Sequence, residues 1–252
     1  MIKVTIWSEF SFSCQCEAAL AVYPKGHHET IKEFLNAEGD IAATAVTMGM
    51  PGQGLPDSLL NETDVLVWWG HCRHDDVSDE LVEKIARRVH GGMGLILLHS
   101  SHLSKPFKRI IGASGQLCWG EDGERERLWV CAPGHPIAKG LPAYIDLPKE
   151  EMYGEPFGIP EPSRTIFTCW YQGGRVFRGG VTFERGAGKV FYFQPGHETF
   201  PTFYHPLVQK VLKNAVRWAY NPDKLAMVYY ALPISLQNWR AALIPTIAVP
   251  IS

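Results

Sequence analysis

Five histidines of this chain stand where a strand has just ended: His71 and His74 in WWGHCRH, His99 and His102 in LLHSSH, and His197 in FYFQPGHE. Imidazole both ligates metals and moves protons near neutral pH. In an open α/β sheet, the crevice outside the carboxyl ends of the strands is where ligands bind. The pairs His71/His74 and His99/His102 share i, i+3 spacing, which puts each pair on one face if its segment turns helically. A set of neutral imidazoles suits a divalent ion, zinc first, that keeps open positions for water or a substrate hydroxyl. Such an ion acidifies bound water or polarises a carbonyl. The expected ligands are His71, His74, His99, His102 and His197. HxxH spacing alone is weak evidence, and His27, His90, His135 and His205 are read as structural.

Carboxylates supply the other half of acid–base chemistry. In EMYGEPFGIP, residues 151–160, acidic residues alternate with aromatics and prolines, so a rigid loop is expected. A carboxylate among aromatics can have its pKa raised by desolvation and then exchange protons. Glu155 is the first choice and Glu151 the second. Aromatic faces stack on sugar rings while carboxylates and amides take their hydroxyls. Trp68, Trp69, Trp119, Trp129, Tyr153, Phe157 and Trp170 flank the polar motifs. Trp69, His28, Tyr153, Glu151 and Ser100 are the residues expected to touch substrate, although Trp68 and Trp69 are consecutive in a strand and at least one belongs in a core.

The elements that must position these groups come from hydrophobic periodicity. Ile2–Trp7, Ile41–Val46, Asp64–Trp69 and Leu95–Leu98 read as strands, the first and last as runs buried on both faces. A loop of roughly twenty residues is expected between the first strand and His28. Val77, Leu81, Ile85 and Val89 recur at four-residue steps, so a helix runs to His90 with Ser78 or Asp76 as its cap. Alternation of this kind implies a parallel sheet with right-handed crossovers. Farther on, Leu128–Cys131, Thr165–Trp170, Val176–Arg178, Val181–Glu184 and Lys189–Phe193 are short strands joined by hairpin turns, an antiparallel extension. GEDGERER reads as a solvated, charge-laced loop. An amphipathic helix over 205–220 closes the core.

With 252 residues, 46% hydrophobic, one large domain is expected over residues 1–222. The net charge of −2, with 24 Lys plus Arg against 26 Asp plus Glu, offers no basic field for nucleic acid. MIKVTIW lacks the apolar core and cleavage site of a signal peptide, and no apolar run is long enough to span a membrane. A cytoplasmic protein with reduced thiols is expected, since the six cysteines make no secretory framework. Residues 223–252 are apolar and broken by Pro233, Pro245 and Pro250, so they are expected to pack on the core or on another subunit of a homo-oligomer.

Taken together, VYPKGHH, WWGHCRH, GMGLILLHSSHLSKPFKRI, PGHPIAKG, EMYGEPFGIP and VFYFQPGHETFPTF make residues 1–222 resemble the trehalose-utilisation (ThuA-like) family. The resemblance implies an α/β fold: a flavodoxin-like three-layer sandwich similar to the class I glutamine amidotransferase domain, with the antiparallel extension in the second half. It also implies use of trehalose or related disaccharides. In glutamine amidotransferases a cysteine nucleophile sits on a tight turn after a buried strand, with a His and a Glu later in the chain. Here His99 stands at that turn, while His197 and Glu198 match the later partners. Without a thiolate no glutamyl thioester forms.

The leading expectation is therefore a carbohydrate enzyme that acts on a disaccharide, glycoside or keto-sugar derivative. His99 and His197 serve as ligands or bases, Glu198 orients His197, and Glu155 exchanges protons. Two alternatives stand beside it: a serine hydrolase using Ser100 or Ser101 with His197 and Glu198, and a sugar-binding protein without chemistry.

Overall fold

β-branched and aliphatic runs bounded by turn residues build the first half. A computed structural model describes residues 1–224, so the expectation for the apolar tail falls outside the described residues. The chain runs β1 (Ile2–Ser8), α1 (Glu17–Val22), α2 (His27–Asn36), β2 (Ile41–Thr47), α3 (Asp57–Glu62), β3 (Val65–Trp69), α4 (Asp79–His90), β4 (Gly94–Leu98) and α5 (Lys105–Ile111). β5 (Cys118–Val130), β6 (Tyr144–Gly154), β7 (Arg164–Tyr171), β8 (Val176–Arg185), β9 (Gly188–Phe193) and α6 (Pro206–Ala219) follow.

Among the described residues, nine strands join one sheet in the order β2-β1-β3-β4-β9-β8-β7-β5-β6. The first five in that order are mutually parallel, and β8, β7, β5 and β6 continue the sheet antiparallel. Every residue of β3 and β4 is buried, which requires cover on both faces. The helices provide it as contacting pairs, α2 with α6 and α4 with α5. α4 turns Leu81, Ile85 and Val89 inward, and Ser78 caps it by accepting from the amide of Leu81. α6 buries Val208, Val211, Leu212, Ala215 and Val216. Each of its larger side chains contributes about 1.5–3 kcal/mol when fully buried. Trp7 and Trp68 stack at 3.6 Å in the core.

Three expectations are corrected. The stretch between β1 and His28 is not one loop, because α1 and a short 3-10 turn (Ser13–Gln15) occupy it. GEDGERER is no loop either; it forms the middle of β5 and pairs with β6. EMYGEPFGIP opens as strand, since Glu151–Gly154 end β6. In both places the ladder is irregular, with register shifts between Gly120 and Glu124 and between Glu124 and Glu126. Bulges of this kind break the period-2 signature that sequence reading depends on. They also bend the ribbon. β6 contacts β8 although two strands lie between them in the sheet, so the antiparallel arm curls back and carries the end of β6 over the carboxyl ends of β3 and β4.

Candidate active site

β4 ends at Leu98, and the next residue, His99, adopts φ +52°. A non-glycine residue in that region costs of order 1–3 kcal/mol and persists only where its surroundings hold it. Two contacts do so: His99 Nδ1 lies 3.0 Å from the carbonyl oxygen of Gln194, and the His99 carbonyl accepts from Tyr192 Oη at 3.0 Å. A carbonyl can only accept, so Nδ1 carries the proton and the opposite nitrogen, Nε2, faces Glu151 Oε2 at 2.9 Å. Burial opposes charge on both groups, yet their mutual attraction prevails. His99 is raised above its ordinary value and Glu151 is lowered.

His71 follows β3 in a bend that Glu9 organises. The Glu9 carboxylate, 3% exposed, accepts the amide hydrogens of His71, Cys72 and Arg73 and the hydroxyl of Ser11. Those bonds hold Glu9 below its usual range against the opposing effect of burial. His71 Nδ1 is 2.5 Å from Ser100 Oγ, which also accepts from Tyr153 Oη at 3.3 Å. His71 Nε2 is 3.8 Å from Glu198 Oε1. Burial alone would lower His71, but Cys72, Glu198 and Glu151 together raise it to about 9.

His197 and Glu198 lie on the loop after β9, which Glu150 anchors by accepting from the Gly196 amide at 3.0 Å and from Thr202 Oγ1. Gly196 has φ +136° and a Cβ there would sit 2.6 Å from the Phe203 ring, so only glycine fits. His197 Nδ1 accepts from the Thr199 amide and contacts Thr199 Oγ1 at 2.9 Å. Burial lowers His197 to about 4, so the ring is neutral, with its proton on Nε2.

These elements bring three rings and two carboxylates to one rim of the sheet. The His99 ring is 6.0 Å from His71 and 5.4 Å from His197, and Tyr153 stacks on it at 5.4 Å. Candidate ligand atoms of His71, His99 and Glu198 lie within 4.8 Å of one another, as do those of His99, Glu151 and His197. His99 Nε2 and Glu151 Oε2 are paired with each other at 2.9 Å, and Glu198 Oε2 is buried without a hydrogen-bond partner. Buried polar atoms normally have partners, and imidazole plus carboxylate is a donor set for a divalent cation. The residues therefore fit a metal. Beside them is a cavity of about 220 Å³ lined by His71, Ser100, His102, Leu103, Trp119, Glu121, Glu151 and Tyr153.

Other predicted site residues are placed elsewhere. His74 belongs to neither triad; its ring lies against Gly70, and burial lowers it to about 4. The i, i+3 argument fails there because the 3-10 turn begins only at His74. His102 lines the cavity but uses Nδ1 on the Gly115 carbonyl at 2.7 Å, and burial lowers it to about 3. His28 is buried in the first turn of α2 with Phe10 edge-on to it, away from the cavity lining. Trp69 is 0% exposed and donates from Nε1 to the Gly196 carbonyl, so it offers no stacking face. Glu155 is paired with Arg178 at 2.8 Å and also accepts the Phe157 amide; although burial opposes it, the pairing lowers its pKa, opposite to expectation. Glu198 Oε2 lies 3.8 Å from His197 Nδ1, whose hydrogen bond is instead made with Thr199. Sequence reading missed Glu9, Glu150 and Thr199. Glu9 was findable, since it too directly follows a buried strand.

The architecture is an amidotransferase-like α/β fold whose strand-end turn carries the imidazole of His99. A family model described as trehalose utilisation, ThuA, matches residues 17–219, and the chain belongs to that family. Solved structures agree in fold. A ThuA-like protein from Parabacteroides merdae is 17% identical over 87% of this chain and 89% of its own, with a TM-score of 0.63. A cytoplasmic protein from Salmonella typhimurium is 14% identical over 88% of this chain and 100% of its own, with a TM-score of 0.56. The PurLQS structure from Thermotoga maritima is 13% identical over 86% of this chain and 98% of that chain, with a TM-score of 0.52. No curated protein matches the chain in sequence.

Proposed function

We propose that the chain is a carbohydrate-metabolism enzyme of the trehalose-utilisation type. It acts on a disaccharide, glycoside or keto-sugar derivative by acid–base chemistry centred on His99, and it holds a divalent ion, zinc by donor type. The observation that carries this reading is the convergence of three imidazoles and two carboxylates, whose candidate ligand atoms in His71, His99 and Glu198, and in His99, Glu151 and His197, lie within 4.8 Å of one another, with Glu198 Oε2 buried and unpartnered. His99 would hold the ion with His71 and Glu198, or with Glu151 and His197. A bound divalent ion supplies Lewis acidity at a sugar carbonyl or hydroxyl.

The chain's own groups divide the remaining work. The Gln194 carbonyl fixes the His99 tautomer and directs Nε2 into the site. Where His71 and Glu198 complete the set with His99, His197, with its proton on Nε2, is a hydrogen-bond donor beside it. Tyr153, Ser100 and His71 form a hydrogen-bonded chain along which a proton can pass between cavity and loop. In keeping with this reading the partner is a small carbohydrate and the location cytoplasmic, like that of the Salmonella protein.

Elemental analysis of protein prepared without chelator or His-tag should find about one divalent ion per chain, and His99→Ala should lose both ion and turnover while staying folded. Full turnover in His99→Ala would overturn the proposal.

One observation favours a second reading. Ser100 Oγ at 2.5 Å from His71 Nδ1, with Glu198 beyond, has the order of a serine triad. It uses His71 where His197 was expected. Covalent labelling of Ser100 by a phosphonate probe would support it, and an unlabelled Ser100 would remove it.

A further inference from the structure

The cavity beside His99 and Glu151 measures about 220 Å³, below the roughly 300–1,000 Å³ of ordinary small-molecule pockets. A substrate of two rings cannot be enclosed in it. What lies at its mouth is informative. Trp119 lines the cavity and is 62% exposed. In the β5–β6 ladder it stands directly opposite Tyr153, which is 2% exposed. Directly opposed residues share one face of a sheet, so the two aromatics form a continuous wall from the buried floor to solvent. One step along, β5 leaves its register between Gly120 and Glu124, and Glu121, within that irregularity, lines the same cavity. Bulges beside a site commonly re-aim a side chain. A tryptophan face next to a carboxylate matches a pyranose, whose C–H face packs on the ring while its hydroxyls donate to the oxygens.

We propose that Trp119 and Glu121 form a second sugar subsite, so that one ring of a disaccharide enters the cavity and the other stacks on Trp119 outside it. This deepens the proposed function and rests on it for the identity of the inner ring. The subsite makes the enzyme selective for disaccharides and glycosides over free monosaccharides.

Calorimetric titration with trehalose and with glucose tests it in wild type, Trp119→Ala, Trp119→Phe and His99→Ala. Trehalose should bind wild type more tightly than glucose. Trp119→Ala should weaken trehalose about tenfold, as expected for loss of an aromatic contact, and leave glucose within about twofold; Trp119→Phe should restore most of the difference. Equal effects on both sugars, or none, would overturn the subsite. So would a lower molecular mass of Trp119→Ala in sedimentation, which would make Trp119 a contact between copies. If trehalose binding depends on Trp119 while His99→Ala retains turnover, the acid–base reading fails and the subsite stands. If turnover needs His99 but Trp119→Ala changes neither affinity, the subsite alone fails. Binding of neither sugar removes both.

Discussion

Glu150 and Glu151 are consecutive in β6 and hold different halves of the site: Glu151 faces His99, whereas Glu150 accepts from the Gly196 amide and from Thr202 in the loop that bears His197. Burial raises Glu150, and attraction to His99 lowers Glu151 against its own burial. The two should respond differently to the same change. Glu151→Gln removes the charge that keeps His99 raised, and turnover should fall by about 10²–10⁴, the range for loss of a proton-transfer partner. Glu150→Gln keeps an acceptor oxygen and should cost less than about 1.5 kcal/mol in urea unfolding, whereas Glu150→Ala strands its donors and should cost about 1–3 kcal/mol. Equal stability losses in both Glu150 variants would contradict the assignment.

Acid should destabilise the fold through His28. Burial lowers this ring to about 4, while the unfolded ring takes up its proton near 6.5. Between those values the unfolded chain binds more protons, so stability rises with pH across the window and is lost as pH falls from about 6.5 through about 4. The full effect is on the order of 3 kcal/mol for this one group. His28→Phe keeps a ring beside Phe10 and should flatten that part of the stability profile, measured by denaturant midpoints from neutral pH to pH 4. An unchanged slope would place the acid sensitivity elsewhere.

Glu155 should matter to the fold and not to the reaction. Arg178 binds it through Nε at 2.8 Å and Nη2 at 3.0 Å and also donates to the Phe157 carbonyl, tying β8 to the segment after β6. Glu155→Gln should cost about 1.5–3 kcal/mol, as for a hydrogen bond between charged groups, and leave kcat within about threefold, since no transition-state contact is lost. A hundredfold loss of kcat in a folded variant would restore Glu155 to the chemistry.

Glu9 should act on the site through the His71 bend. Glu9→Gln puts a donor where the carboxylate accepts three amides, and should cost about 1–3 kcal/mol. If His71 ligates the proposed ion, its affinity should drop by about 10–100-fold, as is usual when the support of a ligand is disturbed. A zinc titration with a competing chelator reads this separately from thermal melting. Unchanged affinity with a lowered melting temperature would confine Glu9 to a structural role.

How far the sequence carried can be seen residue by residue. The parallel half was legible because β3 and β4 are unbroken apolar runs and α4 carries its apolar residues at helical spacing with Ser78 in front. His99, His71 and His197 could be named because each follows a strand end, and Glu198 through the resemblance to the amidotransferase site. What could not be read was the curl of the antiparallel arm. It brings Glu151 to His99 from the far edge of the sheet, and no local pattern records a contact made by sheet bending. Glu155 shows the opposite failure: its aromatic neighbours in sequence suggested desolvation, but Arg178, more than twenty positions away, decides its charge. Trp69 and His28 have the right chemistry on buried faces.

The continuity of the sheet bears on how the proposed reaction would proceed. β4, which delivers His99, and β6, which delivers Glu151, belong to the same hydrogen-bonded sheet. The two walls of the reaction centre therefore cannot swing apart like jaws without rupturing strand pairing between them. In the proposed reaction, substrate would enter and product leave through a standing doorway, with only side chains and short connecting loops adjusting, and the molecule should behave as a rigid vessel throughout.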